Sequence, residues 1–246
     1  MESIKTRGLI IRTSDYGENS RMLSIFTEDF GIISATVYGA TSKKKGMGAE
    51  SRIFTFAEFL LKKSNGRLRC EEIKTREGFF PLSEDIEKLS LAVYLSDLAY
   101  ASVGPENSDL GVLRLLLNTI YAVCYSGVDP DIAKTVYELR LAKEGGYMPC
   151  MEFCLSCGED ISGDVYFDIQ KGGVVCSKCK LPFSQKLTKA QLDALKFIFS
   201  AEDKKIFSFK TTGDVFTCLS QLSEKYILNH LEQSFKSLEY YKKIKN

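Results

Sequence analysis

The sequence predicts an α+β protein of several domains. A small five-stranded β-barrel is expected over residues 1–80, a helical domain in two parts over 81–150 and 184–246, and a cysteine-held ribbon inserted between those parts over 151–183. Three observations predict this. Short apolar–polar alternations separated by turn residues fill the first third of the chain. After Pro81 the apolar period changes to that of helices. Two C-x2-C pairs then fall between helical stretches, with no internal repeat, low-complexity tract or long linker to separate a free module.

The totals narrow the class. A chain of 246 residues with 44 % hydrophobic and 26 % charged residues has the make-up of a soluble globular protein. The start, Met1-Glu2-Ser3-Ile4-Lys5, carries no apolar signal segment, and no apolar run is long enough to cross a bilayer. A cytoplasmic protein is therefore expected, in which the eight cysteines serve as thiols or metal ligands rather than disulfides. The net charge of +1 hides an uneven distribution. Residues 1–80 hold 14 basic against 10 acidic side chains, residues 81–150 hold 5 against 10, and residues 151–246 hold 14 against 12. Any polyanion is thus expected at the ends of the chain, away from the acidic middle.

The strands come first. Ile4–Thr13, Met22–Thr27, Ile32–Tyr38, Ile53–Lys63 and Arg67–Arg76 each carry β-type alternation. Glu28-Asp29-Phe30-Gly31 makes a turn, and Asn65-Gly66 is a hairpin signal because both residues tolerate positive φ. Five short strands in one unit suggest a barrel such as an OB-fold. Between the third and fourth strands lies a glycine-rich loop with Lys43, Lys44 and Lys45 in succession and Arg52 at its end. With Arg12, Arg21, Lys62 and Arg67 these lysines are the candidate contacts for a nucleic-acid backbone, since cations beside phosphates release counterions irrespective of sequence. A solvated loop is the plainer reading of a short lysine run. The aromatics Tyr16, Phe26, Phe30, Tyr38, Phe54, Phe56 and Phe59 are candidates for base stacking only where exposed. Alternation puts Phe54 and Phe56 on one core face.

From Pro81 onward the elements are helical. Ser83 is the expected cap of a first helix, with Glu84 and Asp85 suited to its positive end. Gly104-Pro105 stops it. A second helix is expected from Asn107 or Ser108, so apolar on every side that it reads as the buried centre of a bundle. Asp129-Pro130 caps a third, which runs to Gly145-Gly146. Thr188 and Gln191 form a capping box for a helix to Ser200, and a last helical stretch runs from Gly213 towards Lys243.

Between the helical parts, Cys154-Leu155-Ser156-Cys157 and Cys176-Ser177-Lys178-Cys179 are separated by 18 residues. Zinc prefers a tetrahedron of four ligands, and each C-x2-C turn presents two sulfurs to one point, so Cys154, Cys157, Cys176 and Cys179 read as a four-thiolate site for one Zn²⁺ per chain. The competing readings are disulfides or buried thiols. The intervening hairpin is too short to bury a core of its own, so the metal would supply the cross-link. Four thiolates leave no open coordination position, which favours a structural ion. Cys150 has a less regular spacing and reads as a buried thiol, as do Cys70, Cys124 and Cys218.

Signs of catalysis are scarce. The single histidine, His230, excludes H-E-x-x-H and makes a Ser-His-Asp arrangement improbable, and it reads as a surface or packed residue. There is no G-x-x-x-x-G-K-[ST] loop and no zinc-deaminase signature. The expectation is a protein that is not an enzyme.

Taken in order, these features resemble the RecO family of bacterial recombination mediators. The resemblance rests on Gly8-Leu-Ile-Ile-Arg12, Asp15-Tyr16-Gly17-Glu18-Asn19-Ser20, Phe26-Thr27-Glu28-Asp29-Phe30-Gly31 and Tyr38-Gly39-Ala40, followed by helices, the paired cysteine turns and more helix. It implies an N-terminal OB-fold, a helical domain and an embedded zinc ribbon. It also implies binding of single- and double-stranded DNA, annealing of complementary strands, and work with RecR, and often RecF, to load RecA onto DNA coated by single-strand-binding protein (SSB). The SSB C-terminal tail, acidic with a hydrophobic end, is an implied partner that would dock on the helical domain. Some relatives lack the cysteine turns, so the case for zinc rests on the four cysteines themselves. A zinc-ribbon adaptor for protein partners and an RNA-binding OB protein are the alternative readings.

Overall fold

The structure, a computed structural model, describes residues 3–40, 47–64, 66–105, 107–208, 211 and 213–245. The chain divides into two compact units: Met1–Cys124 with Ser237–Asn246, and Tyr125–Lys236.

The first unit opens with five strands: β1 (Ser3–Tyr16), β2 (Ser20–Thr27), β3 (Gly31–Tyr38), β4 (Phe56–Ser64) and β5 (Arg67–Glu77). They close into a barrel in the order β1-β2-β3-β5-β4, the OB-fold arrangement expected from the sequence. β1 is long enough to pair with β2 over Gly8–Tyr16 and with β4 over Ser3–Leu9, and a bulge between Ile10 and Arg12 turns it from one neighbour to the other. Closure between β3 and β5 is slight and parallel, Ala35 opposite Leu68 and Thr36 opposite Arg69. Inward positions of every strand fill the interior, among them Ile10, Leu23, Ile25, Val37, Phe59, Leu61 and Ile73. The turn into β3 is held by Thr27, whose hydroxyl donates to the Gly31 carbonyl (2.8 Å) and accepts from the Phe30 N–H (3.0 Å). Gly31 has φ 67°, and a Cβ there would stand 2.1 Å from the Asn107 carbonyl oxygen, so no other residue fits.

The fourth strand starts three residues later than the alternation suggests. Phe54 adopts φ 63° because its N–H reaches back to the Ile10 carbonyl (2.8 Å) while Ile10 N–H donates to Thr55 (3.0 Å). This cross-tie at the β1 bulge requires a reversed backbone, and the Phe54 ring is buried by that turn rather than by strand alternation. Asn65, half of the expected hairpin signal, lies outside the described residues; Gly66 has φ 74°.

α1 (Ile86–Val103) is capped by Asp85, which accepts from the N–H groups of Glu87 (3.0 Å) and Lys88 (3.2 Å). Ser83, the expected cap, instead ends a 3-10 turn at Phe80–Ser83 and donates to the Phe80 carbonyl (2.7 Å). α2 (Leu110–Tyr125) starts two residues late, because Asp109 accepts from Val112 N–H (3.0 Å) and is the better cap. α2 is not buried on every side: Leu110, Arg114, Asn118, Tyr121 and Tyr125 form an exposed stripe at helical spacing.

The buried helix is α3 (Pro130–Glu144) in the second unit, where Ala133 to Ala142 are all buried and Asp129 caps as expected. Its charges are internally paired, Lys134 with Glu138 (2.9 Å) and Glu224 (3.0 Å), and Arg140 with Asp203 and the carbonyl of Ala201 (2.9 Å). α4 (Lys189–Ser200) carries the expected Thr188/Gln191 capping box. The last stretch is two helices, α5 (Gly213–Leu231) and α6 (Lys236–Lys245), separated where Glu232 takes φ 49° and ends the hydrogen-bond ladder. A three-stranded sheet of β6 (Val165–Asp168), β7 (Gly173–Cys176) and β8 (Gln185–Leu187), in the order β7-β6-β8, carries the cysteine turns. Among the described residues no helix is long and apolar enough to cross a membrane.

Candidate metal centre and nucleic-acid face

In the second unit the ribbon brings Cys154, Cys157, Cys176 and Cys179 together, with all four sulfurs within 4.8 Å of one another. Each cysteine pair sits on a tight turn. Gly158 N–H donates to the Cys154 carbonyl (2.8 Å), and the N–H groups of Cys179 (3.1 Å) and Lys180 (3.0 Å) donate to the Cys176 carbonyl. The first turn is sewn to β7 through Leu155 N–H to Val174 (3.0 Å), and through reciprocal bonds of Cys150 with Gly172 (3.1 Å) and Val174 (2.9 Å). A Cβ at Gly173 would lie 2.4 Å from the Cys150 carbonyl, so glycine is what lets these segments approach. Cys154, Tyr166 and Val175 form a small buried core beneath, and Cys157 is the exposed member of the four.

The electrostatics of this cluster fit a cation. Desolvation raises the Cys154 thiol, but the backbone N–H groups of Cys176, Cys157 and Ser156 favour its thiolate and bring it down to about 6. The Cys176 N–H stands 3.4 Å from the Cys154 sulfur. Cys179 is pushed the other way, to about 12, first by Cys176, then by burial and by the remaining cysteines. Four sulfurs this close cannot all ionise without a positive charge among them. Zn–S bonds of about 2.3 Å imply sulfur separations of roughly 3.8 Å in a tetrahedron, within the observed limit. The four cysteines can therefore hold a metal ion. Cys150 stands apart from the four, half-buried, with its thiol towards the Phe153 carbonyl at 4.0 Å. His230 stacks on Tyr147 at 4.9 Å and lies against Tyr226 at 4.3 Å, a packed position.

In the first unit the weak β3–β5 closure opens the barrel wall into a groove of about 1010 Å³. Tyr16, Met22, Tyr38, Arg67 and Arg69 line it, at the ends of strands that flank the β1–β2 and β4–β5 connections. This is the face on which OB-folds bind oligonucleotides. Tyr16 is 43 % and Tyr38 47 % exposed, whereas Phe26, Phe54 and Phe59 are buried. The Arg69 guanidinium lies over the Tyr38 ring at 4.9 Å, with its Nε 3.1 Å from Glu71.

The basic residues singled out from the sequence are not gathered in one place. Lys43, Lys44 and Lys45 lie outside the described residues. Arg67 is exposed in the groove, and Lys62, half-buried on β4, is paired across the ladder with Arg69. Arg12 is engaged by Asp97 of α1 (2.7 Å) and lies over the Tyr100 ring (4.2 Å). Arg21 donates to the Ser51 hydroxyl (3.2 Å) and backbone carbonyl (3.3 Å), holding the turn before β4. Arg52 is exposed at a separate cavity of about 570 Å³, beside Phe54, Phe79 and Phe80. Charge alone had no means of separating Arg67 from Arg12, whereas strand order would have pointed to Tyr16, Tyr38 and Arg69.

Comparison with known proteins agrees across the whole chain. The family model described as "Recombination protein O N terminal" matches residues 1–79, and "Recombination protein O C terminal" matches residues 83–239. The chain is 28 % identical over 244 residues to a protein of Acetivibrio thermocellus named DNA repair protein RecO, covering 98 % of this chain and 97 % of that one. It is 29 % identical over 245 residues to the protein of the same name from Clostridium perfringens, covering 100 % of each.

Proposed function

The chain belongs to the RecO family, and from that premise we propose that it is a DNA repair and recombination mediator. In this reading it binds single- and double-stranded DNA, anneals complementary strands and, with RecR and RecF, helps load RecA onto SSB-coated DNA in the cytoplasm, at the nucleoid. The observation that carries the reading is the barrel groove with its two exposed tyrosines and two arginines.

That groove suits a single strand chemically. Tyr16 and Tyr38 offer ring faces on which any base stacks, and Arg67 and Arg69 meet phosphates. Neither contact reads a base edge, so the Watson–Crick edges stay free to pair, as annealing requires. Lys43, Lys44 and Lys45 are further candidate phosphate contacts by their charge. The four cysteines hold one structural Zn²⁺, which fixes the two turns of the ribbon and leaves no coordination site for substrate. The protein is then a binding protein without catalytic chemistry, and the SSB C-terminal tail docks on its helical part.

The test is binding and annealing of DNA by the purified protein across a salt series, with metal assayed on the same sample. Salt-sensitive binding with annealing and one zinc per chain supports the reading. Zinc without DNA affinity at low salt favours the adaptor function instead, and preference for RNA over DNA of the same sequence overturns the repair assignment.

A further inference from the structure

α6 lies antiparallel along α1. Ser237 donates to Asp97 at one end (2.7 Å), and Lys245 meets Glu87 at the other (3.5 Å). Asp97 also anchors Arg12 of β1, so a single carboxylate ties α6 and the barrel to the same helix. Leu238 and Tyr241 are the buried residues of α6. Lys236, Tyr240 and Lys243 follow one another at spacings of four and three on its exposed side, and Tyr240 is 54 % exposed.

The α6 sequence holds four lysines against one acidic residue, Glu239. Lysines in the last turn complement the helix dipole, and Lys245 also has Glu87 and the Tyr241 ring. Neither argument accounts for Lys236, a cation in the first turn where the dipole opposes it, nor for an exposed tyrosine midway between two lysines. Lys236 and Lys243 form no ion pair among the described residues. The two are about 10 Å apart along the axis at 1.5 Å per residue, close to three steps of a stacked strand at about 3.4 Å each.

We propose that this face of α6 is a second contact for single-stranded nucleic acid, with Tyr240 stacking on a base while Lys236 and Lys243 take flanking phosphates. The assignment rests on the mediator reading and deepens it. Annealing needs two strands on one protein, and the barrel groove accounts for one. α6 receives the strand that arrives to be paired.

The test uses the full chain with Lys236→Glu and Lys243→Glu combined, and Tyr240→Ala separately. Affinity for one labelled oligonucleotide, capture of a non-complementary second strand by the preformed complex, and annealing rate are each measured against salt. First-strand affinity is expected to stay within about twofold of the wild type, while annealing slows about tenfold. The salt slope of second-strand capture should fall by about 1.4, two phosphate contacts at roughly 0.7 each. Tyr240→Ala should weaken capture with that slope unchanged. Annealing at the wild-type rate in a folded variant overturns the proposal, as does an equal loss of first-strand affinity, which would make α6 part of the first site. If charge reversal lowers the melting temperature, Lys236→Gln with Lys243→Gln is read by the same criteria. A wild-type protein that neither binds nor anneals DNA defeats the mediator reading itself, before α6 is at issue.

Discussion

Replacing Lys134 with methionine probes how the second unit tolerates charge in its most buried helix. The Lys134 ammonium stands 2.9 Å from Glu138 and 3.0 Å from Glu224, and the three side chains are 4 %, 0 % and 19 % exposed. Desolvation pulls the lysine pKa down, but attraction to the two carboxylates outweighs it and holds the group above its ordinary 10.5. The stability it contributes is therefore complete below about 10.5 and is lost as pH rises through the higher folded value. Methionine keeps the length of the side chain and removes the charge. Glu138 is then left fully buried with the Ser223 hydroxyl, which donates to it at 2.6 Å. Breaking a buried pair from one side costs about 3–5 kcal/mol, and the partial exposure of Glu224 argues for the lower end. Urea unfolding followed by far-UV circular dichroism reads this directly; the sequence has no tryptophan to serve as a fluorescent probe. The deficit is that of a buried carboxylate deprived of its cation. Adding Glu138→Gln should recover at least half of it. A deficit under about 1 kcal/mol at pH 7, or one that Glu138→Gln does not relieve, refutes the reasoning.

Cys176→Ser should remove the bound metal and open residues 150–187 to protease, while leaving oligonucleotide binding by the barrel within about twofold; metal content and digestion mapping check both. Tyr38→Ala should cost about 1–3 kcal/mol in single-strand affinity, the range for one stacked base, and less for duplex, measured by fluorescence anisotropy. Asp97→Ala releases both Arg12 and Ser237, and because these groups are partly exposed it should cost only about 1 kcal/mol in a denaturant titration. Desolvation pushes the Cys70 thiol up to about 12, so a thiol reagent at pH 8 should label it only after unfolding, as mass spectrometry of the labelled peptides would report.

The sequence was most legible where a local rule decides the structure. The paired cysteine turns converge, the Thr188/Gln191 box caps its helix, and the strand alternations close a barrel. It was least legible where a distant contact overrules the local pattern. Phe54 leaves the strand because its N–H bonds to Ile10, forty-four positions away. α3 carries Lys134, Glu138 and Arg140 yet is buried, since partners for these charges are supplied by α5 and the segment after α4. α2 reads as wholly apolar yet keeps a solvent stripe, because Leu110 and Tyr121 fall on its exposed side. Among the basic residues, composition marks Arg12 and Arg67 as equals, and only the position of Asp97 separates an engaged cation from one open to a ligand.

The return of α6 to the first unit sets an order of events during synthesis. Asp97 and Ser237 are 140 residues apart in the chain, with the whole of the second unit made between them. At about 5–20 residues per second, α1 waits roughly 7–28 s for the helix that covers it. The second unit can be finished and folded in that interval, whereas the first has its barrel but not its closing helix. A ribosome halted between Val103 and Ser237 would leave a chain whose barrel strands are complete and whose α1 is bare along the side that α6 occupies. Such a product would offer proteases and chaperones a side of α1, with Glu87 and Asp97 unengaged by α6, that the finished molecule shields.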